Sequence, residues 1–205
     1  MTEPDRDLPR CWPERFDPLM AAYHDEEWGV PVGDDTELFE RLSLECFQAG
    51  LSWITILRKR GAFRRAFEGF APTRVARYAE REVARLMSDA DIVRNRAKID
   101  ATVGNARAVL ALGPDYGSFA AFLAASVPGP PSRLPPDATL ADVPAMTPAS
   151  DALSRDLQAR GFRFVGSTVV YAFMQSVGLV DDHLPLCFRY AGVTRPVLPP
   201  GGAAG

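Results

Sequence analysis

The amino-acid sequence predicts an all-α fold. Apolar residues recur three and four positions apart through most of the chain, as they do on the buried face of a helix. No stretch alternates apolar and polar residues for long enough to build a sheet, and no segment repeats. With 205 residues, the chain is long enough to bury a large core. We predict one domain over residues 10–190, with flexible tails at 1–9 and 199–205.

Two helices separated by a glycine break are predicted between Leu38 and Arg60. Leu38, Phe39 and Leu42 lie at helical spacing, and the acids or threonine at 34–36 are available to cap this first helix. Gly50 interrupts the pattern. Ser52 can then cap a second helix that ends in three basic residues.

Glu45 lies near the end of the first helix, on its apolar side. A carboxylate among Leu44, Cys46 and Phe47 is costly unless a hydrogen bond or an opposite charge compensates for its burial. Trp53 follows just across the break, so Glu45 and Trp53 are predicted to line one pocket. A capping or interhelical glutamate beside a core tryptophan would give the same local sequence, and these residues alone leave both interpretations open.

Further helices are predicted from the same spacing. They cover residues 62–70, 72–76, 82–87, 91–112, 118–125, 150–159 and 168–177. The longest is ended by Gly113 and Pro114, and Ser150 or Asp151 caps the one that ends at residue 159. Residues 128–148 are predicted to be an extended connection, because six of the eighteen prolines lie at positions 128–144.

The last two predicted helices are joined by a short turn with the sequence GFRFVG at residues 161–166. A glycine-bounded turn of this kind exposes backbone amides and the N-terminus of the second helix, which together favour a phosphate or another anion. An ordinary helical hairpin has the same pattern, so the turn alone does not decide between a functional and a structural role.

The composition gives no global signature of nucleic-acid binding, since the formal net charge is −3. Basic residues nevertheless cluster at 58–65, 94–98 and 160–163, as phosphate contacts or as solvated helix faces. The three cysteines are an odd number, and neither a signal peptide nor a membrane-spanning apolar run is evident. These features favour a reducing cytoplasmic setting and no membrane association.

The chain has two histidines, and each has a cysteine nearby. Twelve residues separate Cys11 from His24, and three separate His183 from Cys187. Such a set satisfies zinc's preference for four tetrahedral ligands and leaves no position for a water nucleophile, which indicates a structural site that ties both ends of the domain together. Buried cysteines and hydrogen-bonded histidines without metal remain the alternative.

Taken together, several motifs resemble those of the DNA-3-methyladenine glycosylase I family. They occur in the family's order from about residue 10 to residue 190, which is most of the chain. They comprise Cys11, YHDEEWGVP (23–31), LFERLSLE (38–45), QAGLSWITILRKR (48–60), IVRNRAKI (92–99) with Asn105 and Ala106, RGFRFVG (160–166) and DHLPLC (182–187).

The resemblance implies a helix-hairpin-helix glycosylase fold in which the 161–166 hairpin grips the DNA backbone. It implies that Glu45 is the base-binding carboxylate and a catalytic candidate, and that Tyr23, Trp28 and Trp53 are aromatic residues of the pocket. For the remaining sites it implies one structural Zn²⁺ held by Cys11, His24, His183 and Cys187, and DNA contacts from Gly161, Phe162, Gly166 and Ser167.

The sequence departs from the family pattern at three positions. Met20 stands where the family usually has a tyrosine between the zinc cysteine and histidine, and Trp12 lies directly beside the first cysteine. Asp181 replaces a common asparagine. Other helix-hairpin-helix glycosylases carry a catalytic aspartate at about this point, so Asp181 is a second catalytic candidate. A surface acid or a cap beside the metal is the alternative.

The function that the resemblance implies is base excision from alkylated double-stranded DNA, and we expect the protein to act as a monomer. The enzyme would flip out an alkylated purine, chiefly 3-methyladenine, and hydrolyse its N-glycosidic bond to leave an abasic site. Aromatic faces attract the positively charged methylated base, and a carboxylate can accept a hydrogen bond from its edge. A glycosylase for bulkier N-alkyl adducts and a DNA-damage binding module without turnover are the alternatives.

Overall fold

The structure, a computed structural model, describes residues 8–12 and 17–190. Most of the tail residues predicted at 1–9, and all of those at 199–205, lie outside the described ranges. The all-α fold is confirmed, since the described residues form ten α-helices and two short 3-10 helices, Glu68–Phe70 and Leu140–Asp142. The α-helices are α1 (Pro18–Glu26), α2 (Asp35–Gln48), α3 (Trp53–Ala66), α4 (Pro72–Val75), α5 (Glu80–Ser88), α6 (Arg96–Ala111), α7 (Gly113–Tyr116), α8 (Phe119–Ser126), α9 (Pro148–Ala159) and α10 (Ser167–Ser176).

Strand structure is limited, among the described residues, to one short parallel pair that the sequence did not predict. Strand β1 (Ser132–Arg133) comes from the proline-rich connection and pairs with β2 (Val180–Asp181), which follows α10. Two residues per strand are too few to produce a periodic signal in the sequence. The pair ties the connection to the segment after α10.

Helix α2 lies at the centre of the hydrophobic core. Every residue from Leu38 to Phe47 is buried, and the helix packs against α3, α6, α8 and α10. The acid at the start of this helix is Asp34, whose side chain accepts a hydrogen bond from the amide of Glu37 at 2.9 Å. Burial on all sides means that a polar group on α2 is held in a nearly water-free setting.

Helix α3 is longer than predicted. It runs through Gly61 to Ala66, whereas the sequence predicted a separate helix over 62–70. The chain leaves the helix after Ala66 and turns at Gly69, whose φ of +72° is a conformation that glycine adopts without strain. One interior glycine costs about 1 kcal/mol of helix stability, which the packing of Ile56, Leu57 and Phe63 offsets.

Two other helix starts differ from the prediction. Asn95, not a residue near 91, caps α6 by accepting a hydrogen bond from the amide of Lys98 at 3.2 Å. Thr147 caps α9 in place of Ser150 or Asp151, because Pro148 can occupy the first helical position and the Thr147 hydroxyl accepts from the Ser150 amide. Ser150 instead reaches back to the Thr147 backbone, which completes a capping box.

The predicted turn at 161–166 joins α9 to α10. Gly161 has a φ of +89°, and Phe164 holds a φ of +58° that non-glycine residues seldom adopt. The Phe162 side chain is buried and stacks on Phe119 with ring centroids 5.9 Å apart. The turn is therefore anchored to the core on one side.

Within the described residues, no single helix is long and apolar enough to cross a membrane. One pair, Arg96–Tyr116 with Phe119–Ser126, passes that test of length and composition only when joined, and it is bent by 73°.

Candidate functional site

A cavity of about 360 Å³ lies between α1, α2, α3 and α10. It brings together all four side chains that were predicted to bind the base, namely Tyr23, Trp28, Glu45 and Trp53. Trp12 and Met20, the two departures at the N-terminal end, also line it. Its volume falls within the range of small-molecule sites.

The break between α2 and α3 places Glu45 and Trp53 on adjacent walls. Gly50 has a φ of +85°, which lets the chain reverse within a few residues. Ser52 occupies the N-cap position of α3, but its hydroxyl bonds the Thr55 hydroxyl at 2.8 Å and makes no capping bond to an amide. Lys98 closes the end of α2, since its Nζ donates to the carbonyls of Phe47 (2.9 Å) and Ala49 (2.7 Å).

Glu45 is 5% exposed, and burial raises the pKa of its carboxyl group to about 8. Arg41, one turn earlier on α2, is the positive charge that opposes this shift. The Arg41 guanidinium is fixed by Glu37 at 2.7 Å and by the carbonyl of Ser176 at 3.1 Å. Glu45 is thus a buried acid that a cationic ligand would convert to its charged form.

Two hydrogen-bond donors at the cavity have no protein partner in the described part of the chain. They are the hydroxyl of Tyr23 and the indole Nε1 of Trp53, and both atoms are buried. The two rings contact each other with centroids 5.2 Å apart at 53°. Burial raises the pKa of Tyr23 well above its ordinary value, so its O–H remains a donor. Unpaired buried donors are costly, and a bound molecule with acceptor atoms would satisfy them.

Beside the cavity, Cys11, His24, His183 and Cys187 form a buried cluster whose ligand atoms all lie within 4.8 Å of one another. Each sulfur is 3.3 Å from His24 Nε2 and 3.6 Å from His183 Nδ1. Tetrahedral zinc with ordinary Zn–S and Zn–N bonds requires S···N separations of about 3.5 Å. The four side chains therefore fit a metal ion of this kind.

The surroundings of the cluster suit metal ligation. The other ring nitrogen of His24 lies 2.8 Å from Asp25 Oδ1, and Arg10 holds the same carboxylate at 2.6 Å. Although burial opposes it, hydrogen bonds from Arg10 and His24 lower the pKa of Asp25. Carboxylates of this kind orient metal-bound imidazoles. The amides of Leu184 and Arg189 each point at one cysteine sulfur at 3.4 Å, which stabilises thiolates.

The predicted DNA-contacting residues of the turn divide into two groups. The amides of Gly161 and Phe162 already donate to the carbonyls of Gln158 and Leu157, at 3.0 and 3.1 Å. Since the Phe162 side chain is also buried, neither residue has a free amide or an exposed side chain for DNA. The amides of Gly166 and Ser167, at the start of α10, have no partner in the described residues. Contact of all four residues with DNA stays a prediction.

A model of the methyladenine glycosylase family matches residues 12–190 of the chain. The chain belongs to the methyladenine glycosylase family. The family inferred from the sequence motifs is confirmed.

Relatives with assigned names agree with this family. The DNA-3-methyladenine glycosylase 1 of Escherichia coli (strain K12) is 48% identical over 185 residues, which are 90% of this chain and 98% of the relative. The DNA-3-methyladenine glycosylase of Haemophilus influenzae is 46% identical over 170 residues, 82% of this chain and 91% of the relative.

Solved structures agree as well. One structure shows how 3-methyladenine DNA glycosylase I from Staphylococcus aureus recognises 3-methyladenine. It is similar to this chain with a TM-score of 0.85 at 37% sequence identity, and the match covers 90% of this chain and 98% of that protein. A variant of 3-methyladenine DNA glycosylase I in complex with 3-methyladenine gives the same TM-score and identity, covering 90% and 99%.

In this methyladenine glycosylase, Asp181 is not among the side chains that line the cavity. The β1–β2 pairing turns its carboxylate towards Arg133, whose Nε lies 2.9 Å from Asp181 Oδ2, while Oδ1 accepts from the His183 amide at 3.4 Å. The geometry corresponds to the alternative of an acid beside the metal cluster. The catalytic role of Asp181 stays a prediction.

The predicted basic clusters of the methyladenine glycosylase are largely used inside the protein. Arg60 forms two hydrogen bonds to Glu27, Arg64 bonds Glu40, and Arg96 pairs with Glu80. Lys98 is buried at the end of α2, and Arg160 pairs with Asp156. Most of these cations therefore have partners within the protein, and the choice between phosphate contacts and solvated helix faces stays open.

Sequence reasoning missed four cavity residues, namely Gln48, Ser52, Ala172 and Gln175. Gln175 is held in place by Asp182, whose Oδ2 accepts from Gln175 Nε2 at 2.8 Å and from the Tyr171 hydroxyl at 2.5 Å. Gln48 could have been found, because it follows Glu45 by one helical turn. Gln175 and Ala172 reach the cavity only through the packing of α10 on α2.

Proposed function

We propose that this methyladenine glycosylase excises 3-methyladenine from double-stranded DNA and leaves an abasic site. The chain is a DNA glycosylase by family, and its relatives at 46–48% identity are named for 3-methyladenine. One observation carries the proposal. The cavity is lined by a buried acid, Glu45, and by two hydrogen-bond donors without a protein partner in the described residues, Tyr23 Oη and Trp53 Nε1.

The cavity suits a flipped, positively charged purine. Trp53, Tyr23 and Trp28 supply aromatic surface, and aromatic faces attract cations. Glu45 supplies the acceptor and the compensating charge, while the two donors would satisfy ring acceptors of the base. A neutral, unmodified adenine would lack the charge attraction, so binding itself would select the lesion.

The bond that breaks is the one between the sugar C1′ and the base nitrogen. Its electron pair passes to the methylated purine, which leaves as a neutral base because it carried a positive charge. Water then adds to C1′, through an oxocarbenium-like state, and loses a proton. Since the cationic base is already a good leaving group, we assign Glu45 to binding and charge compensation rather than to protonation of the base.

We propose that one structural Zn²⁺ is held by Cys11, His24, His183 and Cys187. With four protein ligands the ion would have no open position, so its chemistry would be that of a rigid cross-link between the two ends of the domain. The cluster lies next to the cavity, since Trp28 packs edge-on against His183 with centroids 4.7 Å apart. The metal site would thereby fix the positions of Tyr23 and Trp28 relative to α2.

We propose that DNA backbone contacts come from the outward amides at the start of α10 and from exposed cations such as Arg163. Backbone contacts carry no sequence information, which is appropriate to damage that occurs in any sequence. A single chain supplies the cavity, the cluster and the turn, and we propose that it acts as a monomer.

Incubation with methylated duplex DNA, followed by chromatography of the released bases, tests the proposal. We expect free 3-methyladenine in excess of a no-enzyme control, and a large loss of release for the isosteric variant Glu45→Gln. Absence of release by the wild-type protein would overturn the proposed function. Tight binding to an abasic-site duplex without any release would indicate a damage-binding module instead.

A second candidate substrate class, bulkier N-alkyl adducts, is favoured by the space around the cavity and by Met20. A smaller cavity of about 170 Å³ shares Trp12, Trp28 and Gln175 with the first, and Met20 lines the first where the family usually has tyrosine. The two spaces together would accommodate a longer alkyl group. Measuring release of a methyl and a bulkier adduct by wild type and Met20→Tyr decides this, since the tyrosine variant should lose the bulkier adduct selectively.

A further inference from the structure

The turn between α9 and α10 is held from inside through three successive carbonyl groups. The carbonyl of Arg163 accepts from Asn105 Nδ2 at 3.0 Å, that of Phe164 from Cys46 Sγ at 3.2 Å, and that of Val165 from Ser154 Oγ at 2.7 Å. The three donors belong to α6, α2 and α9. Three separate helices therefore fix the direction of these peptide groups.

Asn105 makes the most complete of these contacts. Its Oδ1 also accepts from the amide of Arg163 at 2.8 Å, so one side-chain amide satisfies both backbone groups of one residue. Asn105 is 1% exposed and cannot itself touch DNA. A paired donor and acceptor in a water-poor setting define the orientation of the backbone more tightly than a single bond does.

The contact from Cys46 adds to the same restraint. Burial raises the pKa of this thiol to about 12, so it stays protonated and acts as the donor to the Phe164 carbonyl. Phe164 sits at a φ of +58°, a conformation that persists only where surrounding contacts enforce it. Cys46 follows Glu45 on α2, so the turn is fastened to the helix that carries the cavity acid.

The consequence is a turn whose carbonyls are bonded to side chains of the core helices, whereas the amides that follow are not bonded in this way. The amides of Gly166 and Ser167 have no partner in the described residues, and they lead into the positive end of α10. A carbonyl that rotated outward would place its negative end against an approaching phosphate. The inward bonds prevent that rotation.

We propose that Asn105 is a positioning residue for DNA backbone binding, acting through the peptide groups of the turn without touching the base or the DNA. The proposal rests on the proposed function, in which this turn contacts DNA. The proposal predicts that Asn105 affects the affinity for DNA through the turn and does not affect the affinity of the cavity for the base.

The test compares two affinities in three proteins. The variant Asn105→Leu keeps the approximate size of the side chain and removes both bonds to Arg163. Thr102→Val is the matched control, since Thr102 lies on the same helix, is 1% exposed and bonds only the Lys98 carbonyl, at 2.9 Å. Each protein is titrated with a duplex containing an abasic-site analogue and, separately, with free 3-methyladenine.

We expect Asn105→Leu to bind the abasic duplex at least about tenfold more weakly, because both backbone groups of Arg163 lose their side-chain partner and the turn is no longer fixed. Its affinity for the free base should stay within about twofold of wild type, and Thr102→Val should change neither affinity by more than this. Faster amide hydrogen exchange at Arg163 in Asn105→Leu would accompany the loss. DNA affinity equal to wild type, or an equal loss of both affinities, would overturn the proposal.

A second variant covers the case in which Asn105→Leu does not fold. Asn105→Asp retains an acceptor for the Arg163 amide but sets a carboxylate against the Arg163 carbonyl, and it should weaken only DNA binding. The result is distinguishable from failure of the proposed function. A wild-type protein that releases no base contradicts the proposed function, whereas the comparison of DNA affinities decides the role of Asn105 whether or not a base is released.

Discussion

Lys98 on α6 donates a 2.7 Å hydrogen bond to the carbonyl of Ala49, the residue that ends the helix carrying Glu45. The same Nζ reaches the Phe47 carbonyl at 2.9 Å. The last carbonyls of a helix have no partners within it, and here a buried ammonium group supplies them. The end of α2, and with it the position of Glu45 relative to Trp53, therefore depends on a residue about fifty positions further along the chain.

Replacing Lys98 with methionine should loosen this end of α2. Methionine keeps the apolar stem but leaves two carbonyls unbonded, so we expect a loss of about 1–3 kcal/mol in the free energy of unfolding. The affinity for free 3-methyladenine should also fall. Urea unfolding and fluorescence titration would measure the two effects. Lys59→Met is the matched control, because Lys59 also donates to two backbone carbonyls but does so at the surface. Equal effects of the two substitutions would contradict the role of Lys98.

The pH dependence of stability should report the burial of Glu45. Its pKa rises from 4.5 to about 8 on folding, so between these values the native state holds a proton that the unfolded chain has lost. The contribution of Glu45 to the free energy of unfolding is therefore fully present below about pH 4.5 and is lost as pH rises through about 8. The slope is at most about 1.4 kcal/mol per pH unit.

Urea unfolding of wild type and Glu45→Gln from pH 5 to pH 8.5 checks this expectation. The difference between the two proteins isolates Glu45 from other titrating groups, and the glutamine variant should lose less stability as pH rises. For the reaction, the wild-type kcat/KM should increase with pH as Glu45 ionises, with no such step in the variant. Parallel stability curves for the two proteins would show that Glu45 is not a buried acid of raised pKa.

The proposed zinc site predicts both the zinc content of the protein and its thermal stability. Purified protein should contain about one zinc per chain, and Cys187→Ser should lower both the zinc content and the Tm. Cys46→Ser is the matched control, because Cys46 is a buried cysteine outside the cluster. It should keep the metal. Elemental analysis showing no zinc, or retention of both zinc and Tm in Cys187→Ser, would exclude the assignment.

Asp181 is expected to be dispensable for the chemical step. Its carboxylate pairs with Arg133 outside the cavity lining, so Asp181→Asn should release 3-methyladenine in single turnovers within about twofold of the wild-type rate. The variant should lose some stability where β1 meets β2. A drop of a hundredfold or more in the single-turnover rate, without loss of base affinity, would restore the catalytic interpretation of this residue.

The sequence predicted those parts of the site that follow from helical spacing or from residue type. Glu45 could be predicted as a buried acid because its position follows from helical spacing. The cluster of two cysteines and two histidines could be predicted because these residue types limit the chemistry. Gln175, Lys98 and Asn105 could not. Each acts through contacts between helices far apart in the chain, and nothing in a neighbouring residue indicates such a contact.

Other parts of the structure depart from the local pattern for equally physical reasons. The Phe162 ring packs in the core against Phe119, where it adds more stability than it would exposed on the turn, and its predicted contact with DNA stays a prediction. The helix break expected before residue 62 did not form, because the flanking apolar residues of α3 keep Gly61 within one packed helix. Tertiary packing in both cases overrides a local preference.

The most direct test of the central claim is a crystal structure of the protein soaked with free 3-methyladenine. We predict that the base lies in the cavity against Trp53 and Tyr23, with a Glu45 carboxylate oxygen about 2.6–3.2 Å from a nitrogen on its edge. An empty cavity at saturating base, or a base bound elsewhere with Glu45 uninvolved, would contradict the account.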